Sequence, residues 1–418
     1  MRYFLSKLFP QSIKNWLHLS EAVVASLWFG RPARKLRIIG VTGTNGKTTT
    51  ANLIARILEE SGAKVALAST INFRVAGKEA VNASKFTTLA GWKLQRFLRD
   101  AADAGCTHVV LETSSHALDQ KRVSGIPYEV AVITNVTREH LDYHKTMEEY
   151  RRAKRRLFDM ATVAVVNLDM WEPEFFLEGA KKKKTYSITD HAADIYAEDL
   201  VRTLSGSDFT VSGVPFHTDL PGTFNVENAL AAIAAVSALN VPLDVAARGI
   251  AKVSIVPGRV DPVRNALGAT ILIDYAVTPD SLEKLYRLVS TMKKDGAKIV
   301  AVFGACGERD RGKRPVMGEI VSSHADTVIL TNEDPYHEDP ERILDEIEAG
   351  IRGKEKGVNF FRIFDRREAI AKALSLLRSG DILLVTGKGA EETMAIGDER
   401  LLWNDRTVIE EELKRLES

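Results

Sequence analysis

At 418 residues, 45% hydrophobic and 27% charged, the chain is longer than one hydrophobic core ordinarily organises, so two domains are expected. Basic and acidic residues nearly cancel (57 against 56), so bulk charge argues for neither nucleic acid nor an anionic membrane as a partner. Cys106 and Cys306 lie far apart and lack metal-ligand spacing, so they read as buried, reduced thiols and neither a disulfide nor a zinc site is expected.

Residues 1–35 read as an N-terminal helical extension. Its first 30 residues are rich in Phe, Leu, Trp and Val, yet the longest uncharged run, Ala22 to Gly30, falls far short of the roughly 20 residues a membrane span needs. Lys7, Pro10 and Lys14 interrupt any signal-peptide core. An amphipathic helix is the plain reading. It packs on the protein's own body, the favoured case, or docks weakly on a membrane surface. The cytoplasm is the default location.

From Leu36 onward strands and helices alternate, which predicts an α/β fold with a mainly parallel sheet. Apolar runs at 36–41, 64–68, 107–111, 128–134 and 161–166 read as buried strands, with helices at Thr48–Ser61 and Trp92–Ala104. The basic run Lys181 to Lys184 reads as a solvated loop or helix end, and 185–219 as a small β-excursion. A densely apolar helix follows at Val226–Leu239. Val256-Pro257-Gly258 breaks the pattern, dividing a central domain (36–257) from a C-terminal one (258–418). The latter shows strands near 270–274, 298–304, 326–331 and 381–386, the period of a small Rossmann-like domain.

Strand 36–41 runs into Gly43-Thr44-Asn45-Gly46-Lys47-Thr48-Thr49, where a helix begins. Glycines let such a loop curl its backbone N–H groups around a phosphate, and the helix N-terminus adds favourable potential. Lys47 would reach the β- and γ-phosphates of ATP, and the Thr48 hydroxyl would ligate Mg²⁺. The first glycine of the full Walker pattern is Val41 here, with Gly40 as its apparent substitute.

Strand 107–111 delivers Glu112 at its carboxyl end, and 128–134 delivers Asn135 with His140 five residues on. A carboxylate and an imidazole near a P-loop threonine suit a divalent metal. In the next helix, MEEYRRAKRRLF, Lys154 stands among Arg151, Arg152, Arg155 and Arg156. Neighbouring positive charge disfavours an ammonium. A neutral amine there could add CO₂ and present carbamate oxygens to a metal.

The motif GTNGKTT, with LETSSHALDQKRV, ITNVTREHLDYHKTMEEYRRAKRRLF, PGRV, DYAVTPDSLEKL and FGACGERDRGKRPVMGEI, resembles the Mur ligases of peptidoglycan synthesis. Among them it is most similar to the branch that adds the third stem residue. The resemblance implies a P-loop ATPase domain followed by a Rossmann-like domain. It implies Mg²⁺ held by Thr48, Glu112 and His140, with Lys154 on the carbamylated position. ATP would be met by the loop, by Asn225 and Asn228, and by Arg259 and Asp274 of the second domain. Thr87, Thr88, Ser114, Gln120 and Arg122 would contact a muramoyl-peptide acceptor. Arg309, Glu333, Asp334, Pro335, Tyr336, Gly387 and Glu391 would contact the free amino acid. The implied chemistry phosphorylates the acceptor carboxylate, and the amine then displaces phosphate while domain closure keeps water out. A monomer is expected.

Four departures bear on the substrates. About 35 residues precede Leu36, against the roughly 50 of a minimal domain, so the uridine of a nucleotide sugar is not expected to bind in the family's usual way. Val277 and Ala390 replace histidines of the DYAHTP and GKGHE motifs, and the D-N-P-R motif reads Glu333-Asp334-Pro335-Tyr336. Loss of that arginine beside two acidic residues points to a neutral or cationic side chain on the amino acid, lysine or ornithine first. Folylpolyglutamate-type or cyanophycin-type ligases are the rival enzymes, and a nucleotide-binding scaffold without catalysis is the rival of another class.

Overall fold

The computed structural model describes residues 10–82, 86–203 and 205–417. They divide into two compact units, one comprising residues up to 136, 146–219 and 223–254, the other 137–145, 220–222 and 255 onward.

The first unit is built on nine strands: β1 (Arg37–Thr42), β2 (Val65–Ala68), β3 (Asn72–Val75), β4 (Lys78–Val81), β5 (His108–Glu112), β6 (Tyr128–Ile133), β7 (Ala161–Asn167), β8 (Lys182–Ser187) and β9 (Ile195–Tyr196). Their order is β4-β3-β2-β5-β1-β6-β7-β8-β9, parallel throughout except at β2–β3 and β3–β4. Ile38, Ile39 and Val41 of β1, Val109 to Leu111 of β5 and Val130 to Ile133 of β6 are all buried, as in a parallel sheet covered on both faces. Helix Thr223–Ser237 is buried without a break from Asn228 to Val236, so it is a core helix rather than an amphipathic one. After β1 the chain passes over β5 to β2, returns to β5, and starts β6 on the other side of β1. Strand order therefore reverses at β1, and the carboxyl ends of β5, β1 and β6 open the crevice where such sheets bind ligands.

Two readings from sequence are corrected here. Lys182 to Lys184 lie within β8, with Lys184 Nζ 3.6 Å from Asp194 Oδ1, so the basic run is strand rather than loop or helix end. The β-excursion begins later than 185, because β8 and β9 extend the main sheet. Only β10 (Glu198–Thr203), β11 (Gly206–Val211) and β12 (Val214–Thr218) form a separate antiparallel sheet.

Helix Gln11–Trp28 packs on helix Gly91–Asp103, but not through its large apolar residues. Ala22 and Ala25 are its buried positions, and a Cβ on Gly91 would stand 3.1 Å from the Ala22 backbone. Ile13, Trp16, Leu17, Val23, Val24, Leu27 and Trp28 are exposed.

The second unit carries β13 (Asp261–Val263), β14 (Thr270–Asp274), β15 (Ile299–Phe303), β16 (Thr327–Leu330), β17 (Phe360–Arg362) and β18 (Ile382–Thr386), in order β13-β14-β18-β15-β16-β17 with only β13 antiparallel. A hairpin of β19 (Thr393–Ile396) and β20 (Glu399–Leu402) follows. β13 and β17, three residues each, are too short to declare themselves by periodicity. Arg366 and Asp405, both fully buried, join helix Arg366–Leu376 to helix Asp405–Glu417 through paired contacts of 2.9 and 2.7 Å. Removing one member of such a pair strands the other charge. Asp405→Ala is expected to cost about 3–5 kcal/mol in chemical denaturation; a loss under about 1 kcal/mol would contradict this account of the joint.

Candidate nucleotide and substrate sites

The phosphate loop is shaped by what presses on it. Gly46, the N-cap of helix Lys47–Glu60, has φ 83°, and a Cβ there would sit 2.2 Å from Asn228 Oδ1. Gly43 has φ 148°, and its Cβ would meet Thr134 Oγ1 at 1.9 Å. Only glycine fits either position. Thr44 N donates to the Asn135 carbonyl at 2.9 Å and Asn45 N to Asn135 Oδ1 at 3.0 Å, while Thr134 Oγ1 donates to the Asn45 carbonyl at 2.6 Å. Gly40 is not a substitute for the missing Walker glycine: it lies inside β1, where a Cβ would be 2.8 Å from both Leu157 Cδ1 and the Tyr128 ring. Its role is packing. Lys47 Nζ donates to the carbonyls of Thr44 (2.8 Å) and Gly43 (3.2 Å), which holds the ammonium over the loop. Asn228 accepts from Thr50 Oγ1 at 3.3 Å and donates to Asn225 Oδ1 at 3.1 Å, so both asparagines back the loop.

Thr48 Oγ1 lies 3.1 Å from each carboxylate oxygen of the buried Glu112, whose Oε2 also accepts from Thr70 N at 2.5 Å. These hard oxygens suit Mg²⁺, which takes one or two protein oxygens and completes its octahedron with phosphate and water. Among the described residues no three His, Cys, Asp or Glu side chains gather, as a closed zinc-type site would require. Thr49 is buried in the first turn of the same helix. His140, the third predicted ligand, caps the short helix Leu141–His144 with φ 58° and belongs to the segment grouped with the second unit. There its neighbour Glu139 takes an ion pair from Lys313 at 2.9 Å, and burial pushes the Glu139 carboxyl up.

Lys154 is 1% exposed, donates to the Gly43 carbonyl at 2.7 Å and lies 4.3 Å from the Tyr150 ring centroid. The arginines around Lys154 are individually paired, which weakens the repulsion argument. Arg152, Arg155 and Arg156 stand one or two residues away and do not share the Lys154 face, whereas Arg151, three residues away, does. Each arginine has a carboxylate partner: Arg151 with Glu172, Arg152 with Glu148, Arg155 with Asp159 and Arg156 with Asp119. Burial, rather than arginine repulsion, is what the fold imposes on Lys154.

Thr87, Thr88, Ser114 and Arg122 form one cluster. Thr88 Oγ1 is 2.9 Å from both the Glu112 carbonyl and Ser114 N, Arg122 Nη1 donates to the Thr88 carbonyl at 3.1 Å, and Thr87 Oγ1 is 3.2 Å from Thr70 Oγ1. Gln120 caps the end of helix Ser115–Asp119 just beyond.

In the second unit Asp274 accepts from Val260 N (2.7 Å) and Ala276 N (2.8 Å), and burial raises its carboxyl against the pull of Arg259. Arg259 stacks 4.6 Å from the Tyr275 ring centroid. Glu333, 1% exposed, accepts from Cys306 Sγ at 2.9 Å; its Oε2 has no hydrogen-bond partner among the described residues, and burial pushes its carboxyl up. Gly387 (φ 111°) leaves room for that oxygen, 2.4 Å from where a Cβ would stand. Asp334 pairs with the buried Lys388 at 2.8 Å, and Lys388 also holds Glu391 at 2.5 Å. The Pro335 carbonyl fills the space a Cβ on Gly307 would need. Tyr336 (φ 51°) is tied to β19 by Tyr336 N to Ala395 O at 3.2 Å, and Arg309 and Arg400 lie 5.5 and 5.4 Å from its ring centroid. Thr70, Cys306, Lys388 and Arg400 escape sequence reasoning. Only Lys388, between two glycines beside two site residues, carries a local signal.

Two α/β units, the first with a short P-loop and oxygen donors at the carboxyl ends of parallel strands, define a nucleotide-binding α/β class. The family described as Mur ligase middle domain matches residues 41–236, and that described as Mur ligase, glutamate ligase domain, matches 258–389. A UDP-N-acetylmuramyl-tripeptide synthetase of a Roseiflexus species is 40% identical over 408 residues, covering 92% of this chain and 80% of that protein. A UDP-N-acetylmuramoyl-L-alanyl-D-glutamate–2,6-diaminopimelate ligase of Alkaliphilus metalliredigens is 40% identical over 410 residues, covering 95% and 82%. A solved ligase of that same name superposes with TM-score 0.61 at 36% identity, over 92% of this chain and 79% of that one. Mycobacterium tuberculosis folylpolyglutamate synthase shares the fold (TM-score 0.72, 20% identity, 88% and 92% covered). The chain belongs to the Mur ligase family and is an ATP-dependent, amide-forming enzyme.

Gly46→Ala is expected to weaken ATP binding roughly a hundredfold, about 2.7 kcal/mol, because the methyl drives Asn228 and the loop apart. A fluorescent-nucleotide titration checks this; unchanged affinity would contradict the wedge geometry.

Proposed function

We propose that this enzyme joins 2,6-diaminopimelate to the terminal carboxylate of a muramoyl dipeptide in the cytoplasm, acting as a monomer. The coarser activity is that of the family: ATP-dependent addition of an amino acid to a muramoyl-peptide carboxylate in peptidoglycan precursor synthesis. The observation that carries the reading is the polar assembly at the ends of β1 and β5, where Lys47, Thr48, Glu112 and the Thr88–Ser114–Arg122 cluster lie together.

In this reading the loop N–H groups and Lys47 neutralise charge on the phosphoryl group as an acceptor carboxylate oxygen attacks it and ADP leaves. Thr48 and Glu112, with His140 and a carbamylated Lys154, are the residues that would hold Mg²⁺, which would supply charge neutralisation for the transferred phosphoryl group. Arg122 and the Thr88 and Ser114 hydroxyls orient the acceptor. The amine then attacks the acyl carbon, phosphate departs, and the ammonium proton is lost to give the amide. Asn225, Asn228, Arg259 and Asp274 are assigned to ATP. Lys154→Ala is expected to lower ADP release at least a hundredfold with the fold intact. Near-wild-type turnover would remove Lys154 from the machinery.

For the amino acid, the acidic-neighbourhood argument weakens once Asp334 and Glu391 are seen to share Lys388 and Glu333 to be enclosed. Arg309 and Arg400 beside Tyr336 offer guanidinium groups for two carboxylates. Both relatives named as diaminopimelate ligases support the same choice. Replacement of the motif arginine by Tyr336 favours the second reading, lysine. Competition at equal concentration is expected to give the diaminopimelate product, and Arg400→Ala to raise its KM about tenfold without changing that for lysine. Lysine as the preferred substrate would overturn the assignment.

A further inference from the structure

We infer that the outward face of helix Gln11–Trp28 is a docking surface for an anionic lipid bilayer. At 100° per residue, Ile13, Trp16, Leu17, Val23, Val24, Leu27 and Trp28 fall within about 140° of the circumference. All seven are exposed, Trp16 at 66% and Trp28 at 75%. The opposite arc is the one that docks: Ala22 and Ala25 are buried and Asn15 Nδ2 donates to the Asp119 carbonyl at 3.1 Å, while Glu21, at the edge of the apolar arc, accepts from Trp92 N at 3.1 Å. Among the described residues, the helix is therefore held on the protein mainly by its small and polar side chains. Trp92, also exposed, continues the patch, its ring 6.1 Å from that of Trp28.

Charge selects the occupant. Residues 1–35 contain Arg2, Lys7, Lys14, Arg31, Arg34 and Lys35 against the single acid Glu21, in a chain whose charges otherwise nearly cancel. Two copies facing each other through this helix would bring Lys14, Arg31, Arg34 and Lys35 of each together, which disfavours self-association. An anionic headgroup layer complements them, while tryptophan and leucine enter the acyl boundary. No described helix is long and apolar enough to cross a membrane, so the helix would lie in the interface plane. None of the patch residues is among those assigned to chemistry.

The test uses the full chain with vesicles of phosphatidylcholine alone or with about one-third phosphatidylglycerol. Wild type is expected to co-sediment with the anionic vesicles, with a blue shift in tryptophan emission and weakening by salt. The outward-facing triple variant Leu17→Asp, Val24→Asp, Leu27→Asp is expected to lose binding at least about tenfold while keeping its thermal transition and ADP-forming activity. Wild type remaining in the supernatant with both vesicles would overturn the inference, as would a variant that binds equally well. So would a wild-type dimer that the variant dissolves without any vesicle binding.

Discussion

The site depends on close contact between the loop Gly43–Gly46 and the elements around it. Backbone N–H groups can converge on a phosphate only if the loop curls past its neighbours, and Thr134 and Asn228 stand where Cβ atoms would be. Asn135 fixes the same loop by accepting from Thr44 N and Asn45 N. Thr134 and Asn135 follow β6, and Asn228 comes from the core helix. The reversal of strand order at β1 therefore defines the loop's conformation as well as its location.

From that loop the remaining groups of the first unit follow. Helix Lys47–Glu60 places Thr48 against Glu112, and Glu112 is carried by the adjacent parallel strand β5. The carbonyl of Glu112 then anchors Thr88, which positions Ser114 and Arg122. One residue, Glu112, thus links Thr48 through its carboxylate to the Thr88–Ser114–Arg122 cluster through its carbonyl. The second unit repeats the device in another form: parallel strand ends present Asp274, Glu333 and Gly387, with Lys388 neutralising Asp334 and Glu391.

Much of this was legible in the sequence where period or spacing encodes it. β1, β5, β6 and β7 are continuous apolar runs, and GTNGKTT between strand and helix locates the loop within a residue. Other features were not legible, for physical reasons. Gly40 looks like a loop glycine in one dimension and proves to be a packing glycine under Leu157 and Tyr128. Lys154 looks like one cation in a cluster because sequence hides the separate carboxylate with which each neighbouring arginine is paired. Lys388 and Cys306 acquire meaning only through tertiary partners. Helix Gln11–Trp28 is amphipathic as its composition suggests, but which face is buried depends on the Gly91–Ala22 contact.

The account's central claim is that this chain activates a carboxylate by phosphorylation before an amine attacks it. Labelling both carboxylate oxygens of a muramoyl-dipeptide acceptor with oxygen-18 tests it directly during turnover with ATP and 2,6-diaminopimelate. The account predicts that each phosphate released carries one labelled oxygen from the acceptor. Unlabelled phosphate accompanying amide formation would contradict it.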